Sequence, residues 1–344
     1  MEIDELIENK IPDLDKTEYY SAILGLSPSK GARSPKLWNA AFIGLRFPCL
    51  MHPIDVLPEN LGELIDNLRS DKRFIGGSVA VPYKTKILKY LDEIENNAKG
   101  IGAVNCIYRD KNGRLVGTNT DGAGALWSLQ SVYGDITGAK VLVLGAGGAS
   151  AAVSAYIGKA IGIKGKLFIS NRNKQKTDNL AQKLADICKV HQISWPVSDN
   201  QAKGIDIIIN CTSVGYETPV KDQNGYYSLK FYTPLGIISD NLRVSQLENL
   251  EKNYVYKAAE KIAKNFSETK RFLSQHENLL IFDIVYQPQM TCLLFISNLI
   301  GHRTLSGIGM NLEQAVIAFD KTTSATGKRN LNQDEVRKYM IDVT

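Results

Sequence analysis

Short apolar runs and amphipathic stretches alternate along the first part of the chain. Three runs have the length and composition of buried strands: YSAILGL at 20–26, CLMHPIDV at 49–56 and IGGSVAV at 75–81. Between them, SPKLWNAAFIGL at 34–45 and ENLGELIDNLRSD at 59–71 carry apolar residues at helical spacing. This βαβαβ order predicts a parallel sheet covered by helices.

The pattern changes at 102–121, and a second series then begins. GAVNCIYRDKNGRLVGTNTD contains two alternating runs joined around Asn112-Gly113, which is a strong hairpin signal. From residue 138 onward a second βαβ series runs through GAKVLVLGAGGASAAV, KLFISNR, DIIINCTSVG and LLIFDIVYQ. We therefore predict two α/β domains, with residues 122–126 as the hinge region.

A long region separates the last two of these strands. It contains SQLENLEKNYVYKAAEKIAKNFSETKRFL at 245–273, whose apolar residues recur at helical spacing with charges between them. This pattern predicts an extra surface helix or helix pair packed on the second domain, with a partner or dimer surface as the alternative. The tail beyond Phe319 is polar and then mildly amphipathic, and we expect it to end in a short helix.

Composition narrows the class of protein. A chain of 344 residues is long enough for two cores, and 44% hydrophobic with 22% charged residues is typical of a soluble globular protein. The net charge of +5 is mild and its cations are interspersed, so we expect no nucleic-acid partner. The acidic start MEIDELIENK and the lack of a long apolar run predict a cytoplasmic protein with no membrane partner.

The five scattered cysteines favour reduced thiols, and the four histidines lack metal-ligand spacing, so no metal is expected.

A glycine-rich turn follows one predicted strand directly. In VLVLGAGGASAA the strand runs into Gly145, Gly147 and Gly148, and a helix opens through Ala149 and Ser150. Glycine permits the tight turn and lets amide groups approach a pyrophosphate, which then lies at the positive end of the helix. We predict a dinucleotide site here. Ser150 stands where a third glycine is usual, and a structural turn without a ligand is the alternative.

The following strand ends in SNRNKQK at 170–176. An NAD enzyme commonly offers a carboxylate to the ribose at this point, and this segment has none. Arg172, with Lys174 and Lys176 behind it, instead suits a ribose 2′-phosphate. We predict NADP as the cofactor and NAD as the second choice. The alternative is that Arg172 is only a solvated loop residue.

Lys84 follows a strand in GGSVAVPYKTKIL at 76–88. A lysine just past a buried strand either reaches solvent or reaches back over the carboxyl end of the strand, where parallel sheets bind their ligands. The stretch alone leaves both possibilities open.

Eight segments in order resemble the shikimate and quinate dehydrogenase family. They span nearly the whole chain: GGSVAVPYK, GAVNCI, GTNTDGAG, GAGGAS, SNR, NCTSVG, FDIVYQPQMT and GIGMNLEQAVIAF. The resemblance implies an N-terminal substrate-binding domain, residues 1–121 completed by 307–344. It also implies a Rossmann-type, doubly wound nucleotide-binding domain, residues 122–306. The helical insertion near 240–278 is a departure, because the span between Gly215 and Asp283 is longer than the family pattern needs. The implied active site is a cleft between the two α/β domains.

The same resemblance implies the roles of individual residues. Lys84 and Asp121 are expected to face one substrate hydroxyl, where the lysine exchanges the proton that must leave or arrive with the hydride. The implied substrate-binding residues are Ser34, Asn105, Tyr286 and Gln314, and Thr291 belongs to the same segment as the tyrosine. Asn171 joins Arg172 and Lys176 in the cofactor site, and Thr212 and Ser213 are expected to border the nicotinamide.

Two positions depart from the family pattern. Ala32 stands where the first of two serines would hold a substrate carboxylate, and Ala80 stands where a threonine would touch a ring hydroxyl. Ser27, Ser29 and Lys30, in a loop with one extra residue, are the candidates for the lost contact. These departures weaken shikimate as the specific substrate.

The sequence therefore predicts an oxidoreductase. It would exchange hydride between NADP(H) and a secondary hydroxyl or ketone of a small cyclic polyhydroxy carboxylate such as shikimate or quinate, as a monomer or homodimer. The alternative is a non-catalytic ligand sensor that keeps the cleft and binds a regulatory partner through the inserted helices.

Overall fold

The chain divides into two compact units. The computed structural model describes residues 3–11, 17–217, 220–221, 227–228, 230–236, 243–244, 255–327 and 331–343. Met1–Gly124 and Asn311–Thr344 form the first unit, and Ala125–Met310 form the second. The sequence-based boundaries, 121/122 and 306/307, lie a few residues earlier.

Helices and strands alternate along much of the chain. Up to residue 133 they are β1 (Tyr19–Gly25), α1 (Ser34–Gly44), β2 (Cys49–Asp55), α2 (Leu61–Ser70), β3 (Phe74–Val79), β4 (Glu93–Ile94), α3 (Asn96–Ile101), β5 (Cys106–Arg109), β6 (Leu115–Thr118) and α4 (Asp121–Tyr133). The remainder are β7 (Lys140–Leu144), α5 (Gly148–Ile161), β8 (Lys166–Ser170), α6 (Lys174–Leu184), β9 (Val190–Ile193), β10 (Ile207–Asn210), β11 (Val220–Lys221), β12 (Tyr227–Ser228), β13 (Arg243–Val244), α7 (Val255–Leu273), β14 (Leu280–Asp283), α8 (Cys292–Ile300), β15 (Arg303–Ser306), α9 (Gly307–Ser324) and α10 (Gln333–Ile341).

The first unit is a mixed sheet with helices on both faces. Its strand order is β2-β1-β3-β5-β6-β4, and β1 is parallel to both β2 and β3. The predicted hairpin is confirmed, because β5 pairs antiparallel with β6 and with β3. Ile23 of β1 packs in the cluster that contains Trp38 and Phe319, whereas its neighbours Ala22 and Leu24 pack in the cluster on the other face. The period-2 alternation of the strand thus builds two apolar layers.

Two glycines set the spacing of β3 from its neighbours. Gly76 has φ 125° and Gly77 has φ 153°, a region that favours glycine. A Cβ on Gly76 would collide with the carbonyl oxygen of Ile107, and one on Gly77 would collide with that of Ala22. The strand can therefore lie close to β1 and β5 only because both positions lack a side chain.

The boundary between the two units falls between Gly124 and Ala125, inside the predicted hinge region 122–126. These residues lie inside α4, where Gly124 N–H donates to the Thr120 carbonyl at 3.0 Å. Gly122, Gly124 and Ala125 are buried, and a buried backbone requires hydrogen-bond partners that a helix supplies and an open linker does not.

The second unit has the Rossmann topology. Its main sheet has the order β15-β14-β10-β7-β8-β9, and every pairing is parallel. Numbered along the chain, this is the doubly wound order 6-5-4-1-2-3, in which the carboxyl end of β7 lies at the point where the strand order reverses. A ligand crevice is expected at that point.

Part of the predicted insertion is described. Residues 240–242 and 245–254 lie outside the described residues, but α7 covers the rest of the helical pattern. Phe272 and Leu273 at its end pack against Leu142 and Ile208 of the sheet, as the amphipathic pattern predicted. The predicted C-terminal helix is confirmed as α10.

Two kinds of feature are absent from the described part of the chain. No helix there is both long and apolar enough to cross a bilayer. Likewise, no three His, Cys, Asp or Glu side chains in that part cluster as metal ligands would.

Candidate active site

Lys84 forms an ion pair with Asp121 in the first unit. Its Nζ donates to Asp121 Oδ2 at 2.7 Å, and the two side chains are 32% and 11% exposed. The Lys84 carbonyl accepts from Val104 N–H at 2.7 Å, and the adjoining Tyr83 is fully buried with its hydroxyl on the Val56 carbonyl. Tyr83 therefore anchors the turn after β3, and the lysine reaches back over the sheet.

Asn105 organises the other side of the carboxylate. Its Nδ2 donates to Asp121 Oδ1 at 2.7 Å and lies within 3.3 Å of Gln314 Oε1, while its Oδ1 accepts from Thr120 N–H at 2.8 Å. Thr120 Oγ1 in turn donates to the Gln314 carbonyl at 3.0 Å. Four polar side chains from β6–α4, the residue before β5, and α9 are thus joined in one network. A network that is satisfied internally is rigid and holds its members in fixed positions.

Sequence reasoning missed Thr120 and Asn119 as members of this network. Asn119 Oδ1 accepts from Asp121 N–H at 3.1 Å, and its Nδ2 donates to the Ala103 carbonyl at 2.9 Å. Both residues belong to the NTD segment, so the signal was present, but it was attributed to the aspartate alone.

The serine loop has a different arrangement from the one expected. Ser34 begins α1 half-buried, and its hydroxyl has no hydrogen-bond partner among the described residues. Ala32 and Ala80 pack against the apolar cluster around Trp38. The Ser29 hydroxyl donates to Asp55, whose other oxygen accepts from Ser29 N–H at 2.9 Å. Ser29 is therefore committed to Asp55, and only Ser27 and Lys30 are left as replacements for the missing contact.

A cavity of about 260 Å³ lies at the carboxyl end of β7 in the second unit. Seven of the predicted cofactor residues line it: Gly145, Gly147, Asn171, Arg172, Lys176, Thr212 and Ser213. Gly148, Ala149 and Ser150 begin α5 beside it, and the Ser150 hydroxyl is buried and donates to the Gly145 carbonyl at 2.7 Å. Ser150 thus closes the turn from inside.

The cavity fits a phosphorylated nucleotide. A Cβ on Gly147 or Gly148 would meet no atom within 4 Å, so the space above the helix N-terminus is open to a ligand. Asp and Glu are absent from the described residues that line the cavity, whereas Arg172 and Lys176 are present. A helix N-terminus with nearby cations favours an anion.

Several residues that line the cavity were not predicted, among them Trp195, Lys230 and Tyr232. Trp195 follows β9 and donates through Nε1 to the Pro234 carbonyl at 3.3 Å, and Lys230 and Tyr232 come from the long region before α7. Lys230 Nζ donates to Ser213 Oγ at 2.6 Å. No periodicity or motif marks this segment, so the sequence carried no signal for it.

Tyr286 lies in the second unit, after β14. It is half-buried and follows Asp283, which is fully buried. Asp283 accepts from Thr291 Oγ1 at 2.7 Å and from Asn210 Nδ2 at 2.8 Å. Burial raises the pKa of Asp283 to about 7, and these hydrogen bonds moderate the increase. Thr291 therefore fixes the segment that carries Tyr286.

Comparison with known proteins gives a consistent result over both units. Residues 26–107 match the shikimate dehydrogenase substrate-binding domain, and residues 128–224 match shikimate/quinate 5-dehydrogenase. The shikimate dehydrogenase (NADP(+)) of Methanocaldococcus jannaschii is 30% identical over 302 residues, which is 86% of this chain and 89% of that protein. The enzyme of the same name from Carboxydothermus hydrogenoformans is 32% identical over 299 residues, 87% and 90% of the two chains. A crystal structure of a shikimate dehydrogenase in complex with NADP+ has 28% identity and a TM-score of 0.69, with 96% of this chain and 97% of that chain covered. The chain therefore belongs to the shikimate/quinate dehydrogenase family.

Proposed function

We propose that this protein is an NADP(H)-dependent oxidoreductase that interconverts a secondary hydroxyl and a ketone on a small cyclic polyhydroxy carboxylate of the shikimate or quinate class. The observation that carries the proposal is the Lys84–Asp121 pair, 2.7 Å between Nζ and Oδ2, with Asn105 on the other carboxylate oxygen. An amine held in this way is positioned for proton exchange with a hydroxyl.

Residues of this chain accept and donate the proton. When an alcohol is oxidised, Lys84 accepts the hydroxyl proton, and in the reverse reaction it donates a proton to the ketone oxygen. Asp121 holds the amine in place, and its own position is fixed by Asn105 and by Asn119. The nicotinamide, when bound, supplies or accepts the hydride. In this role the pair exchanges one proton for each hydride, so the balance of atoms and charge is maintained.

The remaining polar groups orient the two ligands. In this proposal Ser34 binds the substrate carboxylate, Asn105 and Gln314 bind ring hydroxyls, and Tyr286 approaches the substrate. The first unit is the substrate-binding domain, and the second is the nucleotide-binding domain. This division is supported by the open space above Gly147 and by the cations beside it.

Within this class, Ala32 and Ala80 favour a substrate other than shikimate. Each supplies a methyl group packed on an apolar cluster where the family pattern has a hydroxyl. A polar ligand atom that meets a methyl group loses a hydrogen bond, and such a loss costs about 1–3 kcal/mol. Quinate or a bulkier relative is therefore the better candidate. We expect the enzyme to act in the cytoplasm as a monomer or homodimer.

A sensor is less well supported than an enzyme. A sensor needs a cleft of the right shape but has no use for a lysine paired with a carboxylate at hydrogen-bond distance. The described part of the insertion also packs internally, since Phe272 and Leu273 of α7 are buried in the core. The buried residues reduce the surface of α7 that could bind a regulatory partner.

The test is a panel of cyclic hydroxy acids assayed with NADP+ and with NAD+. The purified chain is mixed with shikimate, quinate and related acids, and the absorbance of reduced nicotinamide is followed. We expect turnover of at least one acid with NADP+. Ligand binding by thermal shift without reduction of either cofactor would instead support the sensor.

A further inference from the structure

Lys230 supplies a third cation to the nucleotide cavity. It lines the same cavity as Arg172 and Lys176, although it lies far from both along the chain. Among the described residues its Nζ donates one hydrogen bond, to Ser213 Oγ at 2.6 Å, and an ammonium has three donors. Two donors are therefore left for a ligand.

The backbone around Lys230 is fixed by the fold. The Lys230 carbonyl accepts from the N–H groups of Gly215 at 2.7 Å and Tyr232 at 2.8 Å. Thr233 is held reciprocally by α7, because its N–H donates to Asn265 Oδ1 at 2.9 Å and its carbonyl accepts from Asn265 Nδ2 at 3.0 Å. Asn265 is fully buried, so this attachment belongs to the core of the unit. A binding group mounted on such a support is preorganised and loses little entropy when a ligand binds.

The positive charge of Arg172 acts on Lys230. Burial and, after it, the charge of Arg172 lower the pKa of Lys230, and the charge of Arg172 also acts on Tyr232. No Asp or Glu is among the described residues that line the cavity. A dianion placed between Lys230 and Arg172 would relieve the repulsion between them.

We propose that Lys230 binds the ribose 2′-phosphate together with Arg172, and that it is a determinant of the preference for NADP(H) over NAD(H). This assignment rests on the proposed function. Lys230 shares its cavity with Arg172 and is affected by the charge of that residue, which favours the 2′-phosphate over the pyrophosphate at the glycine turn. Because Lys230 is bonded to Ser213, the assignment places Ser213 at the adenosine end of the cofactor and not at the nicotinamide, as the resemblance implied. In this arrangement the long region before α7 contributes directly to cofactor specificity.

The experiment measures dissociation constants for NADPH and NADH by fluorescence titration of the full chain. The variants are Lys230→Met, the charge-conserving Lys230→Arg and the control Lys203→Met, which removes an exposed cation of the same unit outside the cavity. Lys230→Gln gives the same comparison if the methionine variant does not fold.

For Lys230→Met we expect the dissociation constant for NADPH to rise about tenfold or more, and that for NADH to change less than about twofold. Lys230→Arg should recover most of the lost affinity, and Lys203→Met should resemble the wild type. An equal loss for both dinucleotides, or no loss for NADPH, would overturn the assignment while wild-type NADPH binding still supports the proposed function. Failure of the wild-type chain to bind either dinucleotide would overturn both.

Discussion

Replacing Lys84 separates proton transfer from electrostatic stabilisation. Lys84→Met removes both the amine and the ion pair, whereas Lys84→Arg keeps a cation beside Asp121. A guanidinium has a pKa above about 12 and cannot release a proton at neutral pH. The two variants should therefore lose the chemistry equally and differ only in stability.

The expected magnitude follows from what remains in place. Asp121 keeps its hydrogen bond from Asn105 at 2.7 Å and the bond from its own N–H to Asn119 at 3.1 Å, so the carboxylate stays positioned when the lysine is gone. A loss of turnover then reports the missing proton exchange, which contributes roughly 10²–10⁴-fold, or about 2.7–5.4 kcal/mol of barrier. The lysine side chain is 32% exposed, so the ion pair itself stabilises the fold by only about 1 kcal/mol.

The assay combines kcat with urea unfolding on the same preparations. We expect kcat to fall at least about a hundredfold in both variants, with a lower unfolding midpoint for Lys84→Met than for Lys84→Arg. The dissociation constant for NADPH should stay near the wild-type value in each. Near-normal turnover in Lys84→Arg would show that the residue acts only through its charge. Near-normal turnover in Lys84→Met would show that Lys84 is a surface lysine with no role in catalysis.

Three further changes test other parts of the molecule. Arg172→Ala should raise the dissociation constant for NADPH far more than that for NADH, because only the former carries the 2′-phosphate; a wild-type preference for NADH would contradict our view of the cofactor. Ala32→Ser combined with Ala80→Thr should raise kcat/KM for shikimate by up to about tenfold per recovered hydrogen bond, and efficient shikimate oxidation by the unmodified protein would refute this. Lys321→Met should lower the free energy of unfolding by about 1 kcal/mol at pH 7, because Nζ donates to Glu95 at 2.8 Å. Burial would raise the pKa of Glu95, but its hydrogen bonds outweigh that effect and the pKa is lowered. The stability that the pair contributes is therefore lost as the pH falls below the ordinary glutamate range of about 4.3, and urea unfolding should show the two proteins converging there.

The elements of both sheets were predictable because their signals are local. The central strands are continuous apolar runs. The glycine-rich turn and the Asn-Gly hairpin are indicated by the residue types that such turns require. The position of the boundary near 122–126 was predictable in the same way, but its conformation was not. The requirement to satisfy a buried backbone gives a helix there.

The site was predictable only where chemistry and motif coincide. Lys84 and Asp121 are 37 positions apart, and only the resemblance of their two segments to the family implied that they face one substrate hydroxyl. No motif identifies Lys230 in the sequence. Its position depends on Asn265 of α7 and on hydrogen bonds to a backbone segment without periodicity. Contacts of this kind follow from tertiary packing and leave no pattern in a single sequence.

The glycine pair in β3 has a consequence for saturation mutagenesis. Any side chain at Gly76 or Gly77 would force β3 away from the carbonyl oxygens of Ile107 or Ala22, and the turn that carries Lys84 begins only a few residues later. In a library screened for activity, these two positions should thus tolerate as few substitutions as Lys84 does, although neither has a side chain that could touch a ligand. Purified variants would tell the cases apart, since a glycine substitution should lower the yield of folded protein whereas Lys84→Arg should not. A position along this strand that tolerates no substitution can therefore have either of two causes, a steric limit or a chemical role.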